Sequence, residues 1–237
     1  MLTEKENYPN PEFLASFPIR VIIYDLDGLL VDTEELWFET CKRVLKFYGV
    51  EVQEEHRLEL AGRGKLSAFF VERFGVQDTL EVISKKIWNT FYELAETGLK
   101  PIPGAIDSVQ RFSPYFLQAV ASSAHTNYIE MAVDQLGLRD HFRALVGSDQ
   151  VERAKPDPLV FLRTAELVGV EPGQCLVLED SVNGIEAAKA AGMLCIVVPN
   201  RYLQNADFSA ADLNIPTLEV LDFDVLRELV DSKHLHN

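Results

Sequence analysis

Two aspartates set two positions apart, Asp25 and Asp27, follow directly on the run Val21-Ile22-Ile23-Tyr24 and precede Gly28. The run is β-branched or aromatic and free of charge, the pattern of a strand buried on both faces of a parallel sheet. In extended chain residues i and i+2 face the same way, so both carboxylates address one small volume beyond the strand's carboxyl end, where open α/β sheets bind their ligands. Carboxylates held so close repel unless one takes up a proton or a cation lies between them, and an all-oxygen pair suits Mg²⁺. Gly28 permits the dihedral that a sharp exit requires. Asp-Leu-Asp-Gly alone would serve equally as an acidic turn capping a helix, so the rest of the chain has to decide.

Further strand ends carry polar groups. Tyr115–Ala121 reads as a strand followed by Ser122 and Ser123, Phe142–Val146 as a short one, and Cys175–Leu178 as another ending at Glu179-Asp180-Ser181. Lys155-Pro156-Asp157-Pro158 introduces a helix over Leu159–Val168. Helical patterns separate these runs (Ala105–Arg111, a segment ending at Leu136, the alanine-rich Ile185–Ala191), with a strand at Leu194–Val198 and a closing helix over Leu218–Val230. Strands alternating with helices imply a Rossmann-like, doubly wound parallel sheet, and in such a sheet all these ends share one edge. A hydroxyl, a lysine and several carboxylates in one cleft suit phosphate chemistry, in which lysine and metal neutralise the phosphoryl oxygens and a carboxylate attacks phosphorus.

Between Gly28 and the turn-rich segment Gly98–Gly104 the pattern is helical throughout. Trp37, Cys41, Val44, Leu45 and Tyr48 share one helix face ending at Gly49, and a further helical pattern runs through Ile83, Ile87, Trp88, Phe91, Leu94 and Ala95. This block reads as an all-helical cap domain, 35–98, inserted in an α/β core made of 1–34 and 99–237. Residues 1–18, with three prolines and no period, read as a surface arm whose Phe13 and Leu14 dock on the core.

In order and spacing, Asp25-Leu26-Asp27-Gly28-Leu29-Leu30-Val31-Asp32-Thr33-Glu34, Val120-Ala121-Ser122-Ser123, Lys155-Pro156-Asp157-Pro158 and Glu179-Asp180-Ser181-Val182-Asn183-Gly184 resemble the four motifs of the haloacid-dehalogenase-like hydrolase superfamily. The resemblance is to its branch of phosphatases and β-phosphoglucomutases with a helical cap after the first motif. It implies Asp25 as the nucleophile that becomes an aspartyl-phosphate, and Asp27 as the acid that protonates the leaving oxygen and later activates water. It implies that Ser122, Ser123 and Lys155 bind the phosphoryl group, with Lys155 also holding Asp25 ionised. Mg²⁺ would be bound by Asp25, the backbone carbonyl of Asp27, Asp180 and Glu179, the last directly or through water. Glu34, Trp37, Arg63 and Lys65 would face the leaving group.

Each residue also has a plainer role open to it. Ser122 would serve as a helix cap, Lys155 as a solvated lysine, Glu179-Asp180-Ser181 as an N-cap; Asp32 and Thr33 read as structural, capping the first cap helix and fixing the linker. Departures from relatives narrow the chemistry. Dehalogenases lack the second aspartate, which is present here as Asp27; phosphonatases use a cap lysine as a Schiff base, whereas Lys65 reads more simply as an anion contact; mutases usually carry a histidine where this chain has Trp37. The expected activity is Mg²⁺-dependent hydrolysis of a small sugar, polyol or nucleoside-type phosphomonoester. A phosphomutase and a non-catalytic phosphate-binding regulator remain the alternatives.

The chain has 237 residues, longer than one average domain, and is 47% hydrophobic and 25% charged. Its net charge of −15 speaks against nucleic acid and anionic membranes as partners, and admits an anionic substrate only where a cation and a lysine reverse the field locally. No apolar run reaches the length of a membrane span and the start does not resemble a secretory signal, so a cytoplasmic monomer acting on a small phosphorylated metabolite is expected. Cys41, Cys175 and Cys195 lie in apolar segments and read as buried free thiols.

Overall fold

In a computed structural model, which describes residues 17–60, 65–200 and 206–234, six strands form one sheet in the order β3-β2-β1-β4-β5-β6, every neighbouring pair parallel. They are β1 (Val21–Tyr24), β2 (Leu117–Ala121), β3 (Ala144–Val146), β4 (Cys175–Glu179), β5 (Leu194–Val197) and β6 (Leu213–Asn214). The strand order reverses at β1, which lies between β2 and β4. Register pairs Tyr24 with both Val120 and Leu178. Asp25, Ala121 and Glu179 therefore leave the sheet side by side, with Ser122 one residue further on.

The strand period of two divides the interior. Ile22, Tyr24, Val120, Leu176 and Leu178 belong to one buried cluster, whereas Val21, Ile23, Ala121, Cys175 and Val177 belong to another. The first cluster takes in apolar residues of α5 (Ala105–Phe112), α6 (Thr126–Gln135) and α9 (Phe223–His234); the second takes in those of α7 (Leu159–Val168) and α8 (Val182–Ala190). The result is a three-layer α/β/α core. All three cysteines are buried and free.

The segment between β1 and β2 is helical, with α1 (Glu34–Phe47), α2 (Arg57–Leu60), α3 (Leu66–Phe74) and α4 (Leu80–Ala95) before α5. Phe38, Cys41, Val44, Leu45, Leu60, Phe70, Ile83 and Ile87 form a third, separate cluster. Phe38 stands on the buried face of α1, where the sequence pattern gives Trp37; Trp37 is half-buried. Helix α4 serves both units: Ile83 and Ile87 belong to the helical cluster, Phe91 and Ala95 to the sheet's. The entry and exit segments of the helical block pair, Asp32 N–H donating to Lys100 O and Ile102 N–H to Leu30 O.

Further details depart from the sequence reading, the third strand among them, which starts at Ala144 rather than Phe142. The second strand starts at Leu117, because Tyr115 and Phe116 still donate their N–H groups to Phe112 O in the turn after α5. The closing segment is a short 3₁₀ turn, Leu218–Val220, and then α9. Asp222 Oδ1 accepts the N–H groups of Asp224 and Val225 and so starts a new helix where periodicity alone runs on. Strand β6, two residues long, is too short to leave a pattern. Phe13 and Leu14 lie outside the described residues.

Candidate active site

The carboxyl ends of β1, β2 and β4 bring together the groups that the four motifs carry. Lys155, its side chain 4% exposed, reaches across the sheet edge and spends its three N–H groups on Asp25 Oδ1 at 2.5 Å, Glu179 Oε1 at 2.6 Å and Ala121 O at 3.0 Å. It is not a solvated surface lysine. Glu179 Oε2 accepts from the Asp180 and Ser181 N–H groups at 3.1 Å and from Ser181 Oγ at 2.9 Å. Ser181 in turn caps α8 by accepting from Gly184 N–H. This packing needs Gly184, since a Cβ there would lie 1.8 to 2.2 Å from the Glu179 carboxyl atoms. Gly28, at φ +84°, does the same for Asp180, whose Oδ2 would meet a Cβ at 2.0 Å.

Asp27 is held in a different way. Tyr128 donates its phenolic O–H to Asp27 Oδ1 at 3.3 Å, Ser122 donates to Oδ2 at 3.4 Å, and the Thr33 side chain hydrogen-bonds the same carboxyl. Thr33 thus occupies the N-cap position of α1 without capping it. Ser122 likewise does not cap α6; its Oγ accepts from Ala124 N–H, and α6 begins four residues after it. Ser123 is exposed on the rim of the same cleft.

Asp25, Glu179 and Asp180 are all buried and each offers an oxygen within 4.8 Å of the others, a spacing and a donor set that fit a hard divalent cation such as Mg²⁺. Asp27 contributes no side-chain oxygen to this group. Burial, before any other influence, pushes Asp25 up to about 8; Lys155 opposes this, and Glu179 and Asp27 add to it. Burial also raises Asp27 to about 6, against the hydrogen bonds of Tyr128, Thr33 and Ser122, and raises Asp180. Lys155 is kept charged: burial works against its ammonium, but Asp25 and Glu179 outweigh it and its pKa rises. A divalent cation among Asp25, Glu179 and Asp180 would lower Asp25 more directly than Asp27, because Asp27 offers no side-chain oxygen to that group.

The sequence profile of the family described as "Haloacid dehalogenase-like hydrolase" matches residues 22–198, most of the chain. The chain belongs to that family. It is an enzyme of the branch formed by phosphatases and β-phosphoglucomutases. The chain is 33% identical to "Hexitol phosphatase B" of Escherichia coli over 86% of its length and 94% of that protein. It is 31% identical to the "Phosphorylated carbohydrates phosphatase" of Thermotoga maritima over 74% of its length and 82% of that protein. Among solved structures, a mutant of CbbY from Rhodobacter sphaeroides in complex with xylulose-(1,5)bisphosphate has a TM-score of 0.71 at 27% identity, covering 86% of this chain and 96% of that one.

Over the carboxylates this hydrolase has a cavity of about 440 Å³ between sheet edge and helical block, lined by Asp27, Thr33, Asp180 and Asn200 below and by residues of the helices above. Of the residues expected at the leaving group, Glu34 and Trp37 line it from α1 and Lys65 from the start of α3. Lys65 is an exposed non-glycine held at φ +56°. Arg63 lies outside the described residues. Sequence reasoning missed Tyr128, Asn200, Ser84 and Trp88. Asn200 donates to Asp180 Oδ2 at 3.3 Å, and Ser84 and Trp88 share with Ile87 the α4 face that lines the cavity. The spacing of Ser84, Ile87 and Trp88, one face of a helix already read as helical, is the signal that could have found two of them.

Proposed function

We propose that the hydrolase is a Mg²⁺-dependent phosphatase of a small sugar, polyol or nucleoside-type phosphomonoester, acting through an aspartyl-phosphate on Asp25. The observation that carries this is the asymmetry of the two aspartates: Asp25 is paired to Lys155 beside the cation-fitting carboxylates, whereas Asp27 is bound by hydroxyl groups. Such a pair divides into nucleophile and acid. An Asp25 oxygen attacks phosphorus as the bond to the leaving oxygen breaks, and Asp27 gives that oxygen its proton. Water then attacks the aspartyl-phosphate, Asp27 takes the water's proton, and Asp25 and inorganic phosphate are released. Mg²⁺, held by Asp25, Asp180, the backbone carbonyl of Asp27 and Glu179 directly or through water, would neutralise phosphoryl charge. Ser122, with Ser123 at the rim, would bind the remaining oxygens, and Lys155 would join them by giving up one of its three present bonds.

The helical block, 35–98 in this reading, is a cap whose Arg63 and Lys65, together with Glu34 at its entry, select the leaving group. The relatives named for hexitol and carbohydrate phosphates support a polyol or sugar phosphate as first choice. The buried free thiols suit the reducing cytoplasm, and we take the enzyme to act there as a monomer. Phosphate release from a panel of monoesters tests the function: turnover with Mg²⁺ and its loss with excess chelator are expected. Full turnover at zero measured metal content would refute the metal dependence, and no release from any monoester would refute the phosphatase.

The fold is shared with CbbY and β-phosphoglucomutase structures, which keeps a mutase as the second reading. Trp37 argues against it. Its indole stacks on Phe91 at 4.1 Å and cannot exchange a proton near neutral pH, so it is a wall of the cavity. With glucose 1-phosphates and a bisphosphate primer, free phosphate and no glucose 6-phosphate are expected; isomerisation faster than phosphate release would reverse the order of the two readings.

A further inference from the structure

Tyr128 carries a hydroxyl into a place where a hydrophobic ring would otherwise suffice. Its side chain is almost fully buried, on the first turn of α6, with its ring against Phe91 at 5.2 Å and Tyr92 at 6.1 Å, both on α4. A buried phenol needs a partner for its O–H, and two tyrosines of the core solve this differently. Tyr24 pairs with the Ser108 hydroxyl of α5. The Tyr128 O–H, by contrast, reaches Asp27 Oδ1, across 101 positions of sequence.

We propose that Tyr128 is a positioning residue for Asp27, fixing Oδ1 so that Oδ2 is presented to the leaving oxygen; this rests on the phosphatase reading above. Of the hydroxyls on Asp27, Ser122 bonds Oδ2 and is the one the phosphoryl group would claim. Once Ser122 turns to substrate, Tyr128 and Thr33 are, among the described residues, the side chains left holding the acid. The helix that carries Tyr128 is itself tied down. Gln135, on the same helix, donates to Ala95 O at 3.0 Å and accepts from Leu99 N–H at 2.9 Å, tying α6 to the end of α4. Phe91, against which the Tyr128 ring rests, stacks on Trp37, and Trp37 meets Trp88 edge-on at 5.2 Å. The ring that seats the phenol is thus packed against the wall of the leaving-group cavity. A phenol on such a seat holds a carboxyl without reorganising during the reaction, because its own ring has nowhere to go.

The test separates positioning from packing. Tyr128→Phe keeps the ring and removes the hydroxyl. Alkyl phosphates need the leaving oxygen protonated, and p-nitrophenyl phosphate hardly does. We expect Tyr128→Phe to lose tenfold or more in kcat/KM toward the best alkyl phosphate of the panel and less than threefold toward p-nitrophenyl phosphate. In an Asp27→Asn background the same change should cost less than twofold, because the group it positions is already gone. Equal losses on both esters, or no loss on the alkyl ester, would overturn the proposal. Should Tyr128→Phe fold poorly by circular dichroism, Tyr128→Leu and Tyr128→His decide: only a side chain able to donate should restore the alkyl ester selectively, and an unchanged ratio between the esters overturns the proposal. If Asp27→Asn is inactive on the alkyl ester while Tyr128→Phe matches wild type, this inference alone falls. If the wild-type enzyme hydrolyses neither ester, the phosphatase reading falls and takes this one with it.

Discussion

Asp25 and Asp27 differ by what each touches rather than by what each is. One shares a lysine with Glu179 and the other is surrounded by hydroxyls. Asp25→Asn keeps the shape but gives a poor nucleophile and a weaker metal ligand, so turnover should fall by about 100-fold or more with the fold intact. A variant keeping more than about a tenth of wild-type turnover would remove Asp25 from that role. Gly184→Ala probes the same site from behind. Alanine favours a helix over glycine by about 1 kcal/mol, but its Cβ would sit within 2.2 Å of a carboxyl held by Lys155, two backbone N–H groups and Ser181. The clash should win, at a cost of about 1–3 kcal/mol in stability and with weaker Mg²⁺ affinity. Unaltered melting and metal titration would mean that Glu179 shifts more readily than its bonds suggest.

Helix α4 links two cores, with Ile83 and Ile87 in one and Phe91 and Ala95 in the other. Its cavity face, Ser84, Ile87 and Trp88, is where the leaving group would lie. Ser84→Phe should fill part of the roughly 440 Å³ space without touching the carboxylates. The expected result is a KM for hexose or hexitol phosphate raised about tenfold, equivalent to about 1.4 kcal/mol, with kcat/KM for acetyl phosphate changed less than threefold. Parallel losses on both substrates would mean that the helical block supports the fold and does not read the substrate.

Across the whole molecule the net charge of −15 is uneven in its consequences, because most carboxylates are exposed whereas Asp25, Glu179 and Asp180 are buried together with one lysine. The metal-free protein should therefore be strained by its own site. A carboxyl raised from about 4 in the unfolded chain to about 8 when folded, as Asp25 is, gives the folded state the extra proton between those values. Stability then falls as pH rises through that window and the loss is complete above it. Asp180 is raised as well and adds to the effect, whereas Lys155 stays charged throughout. Melting in excess chelator should drop from pH 5.5 to pH 8, more steeply for wild type than for Asp180→Asn, and Mg²⁺ should raise the melting temperature most at the alkaline end. A chelated wild type whose pH dependence matches that of Asp180→Asn would contradict this.

How much was legible in the sequence follows from what each signal depends on. The β1 run, its Asp25-Leu26-Asp27-Gly28 exit, the alternation that made the sheet parallel and the helical character of the block after β1 are local patterns, set by a period of two or 3.6 and by turn residues, and a chain displays them without folding. The shared sheet edge followed from them, because a parallel sheet puts every strand's carboxyl end on one side. What no period encodes is contact across the chain. Tyr128 looks like an ordinary aromatic position of a helix until α6 is laid beside β1, and its bond to Asp27 spans 101 residues. Asn200 beside Asp180, Thr33 turned from its cap position to Asp27, and an α4 shared between two cores are decided in the same way. Local patterns along the chain show which groups could do the chemistry and on which edge they stand; which of them touch is settled by packing, because a buried side chain takes its partner from the elements packed over it and those are remote in the chain.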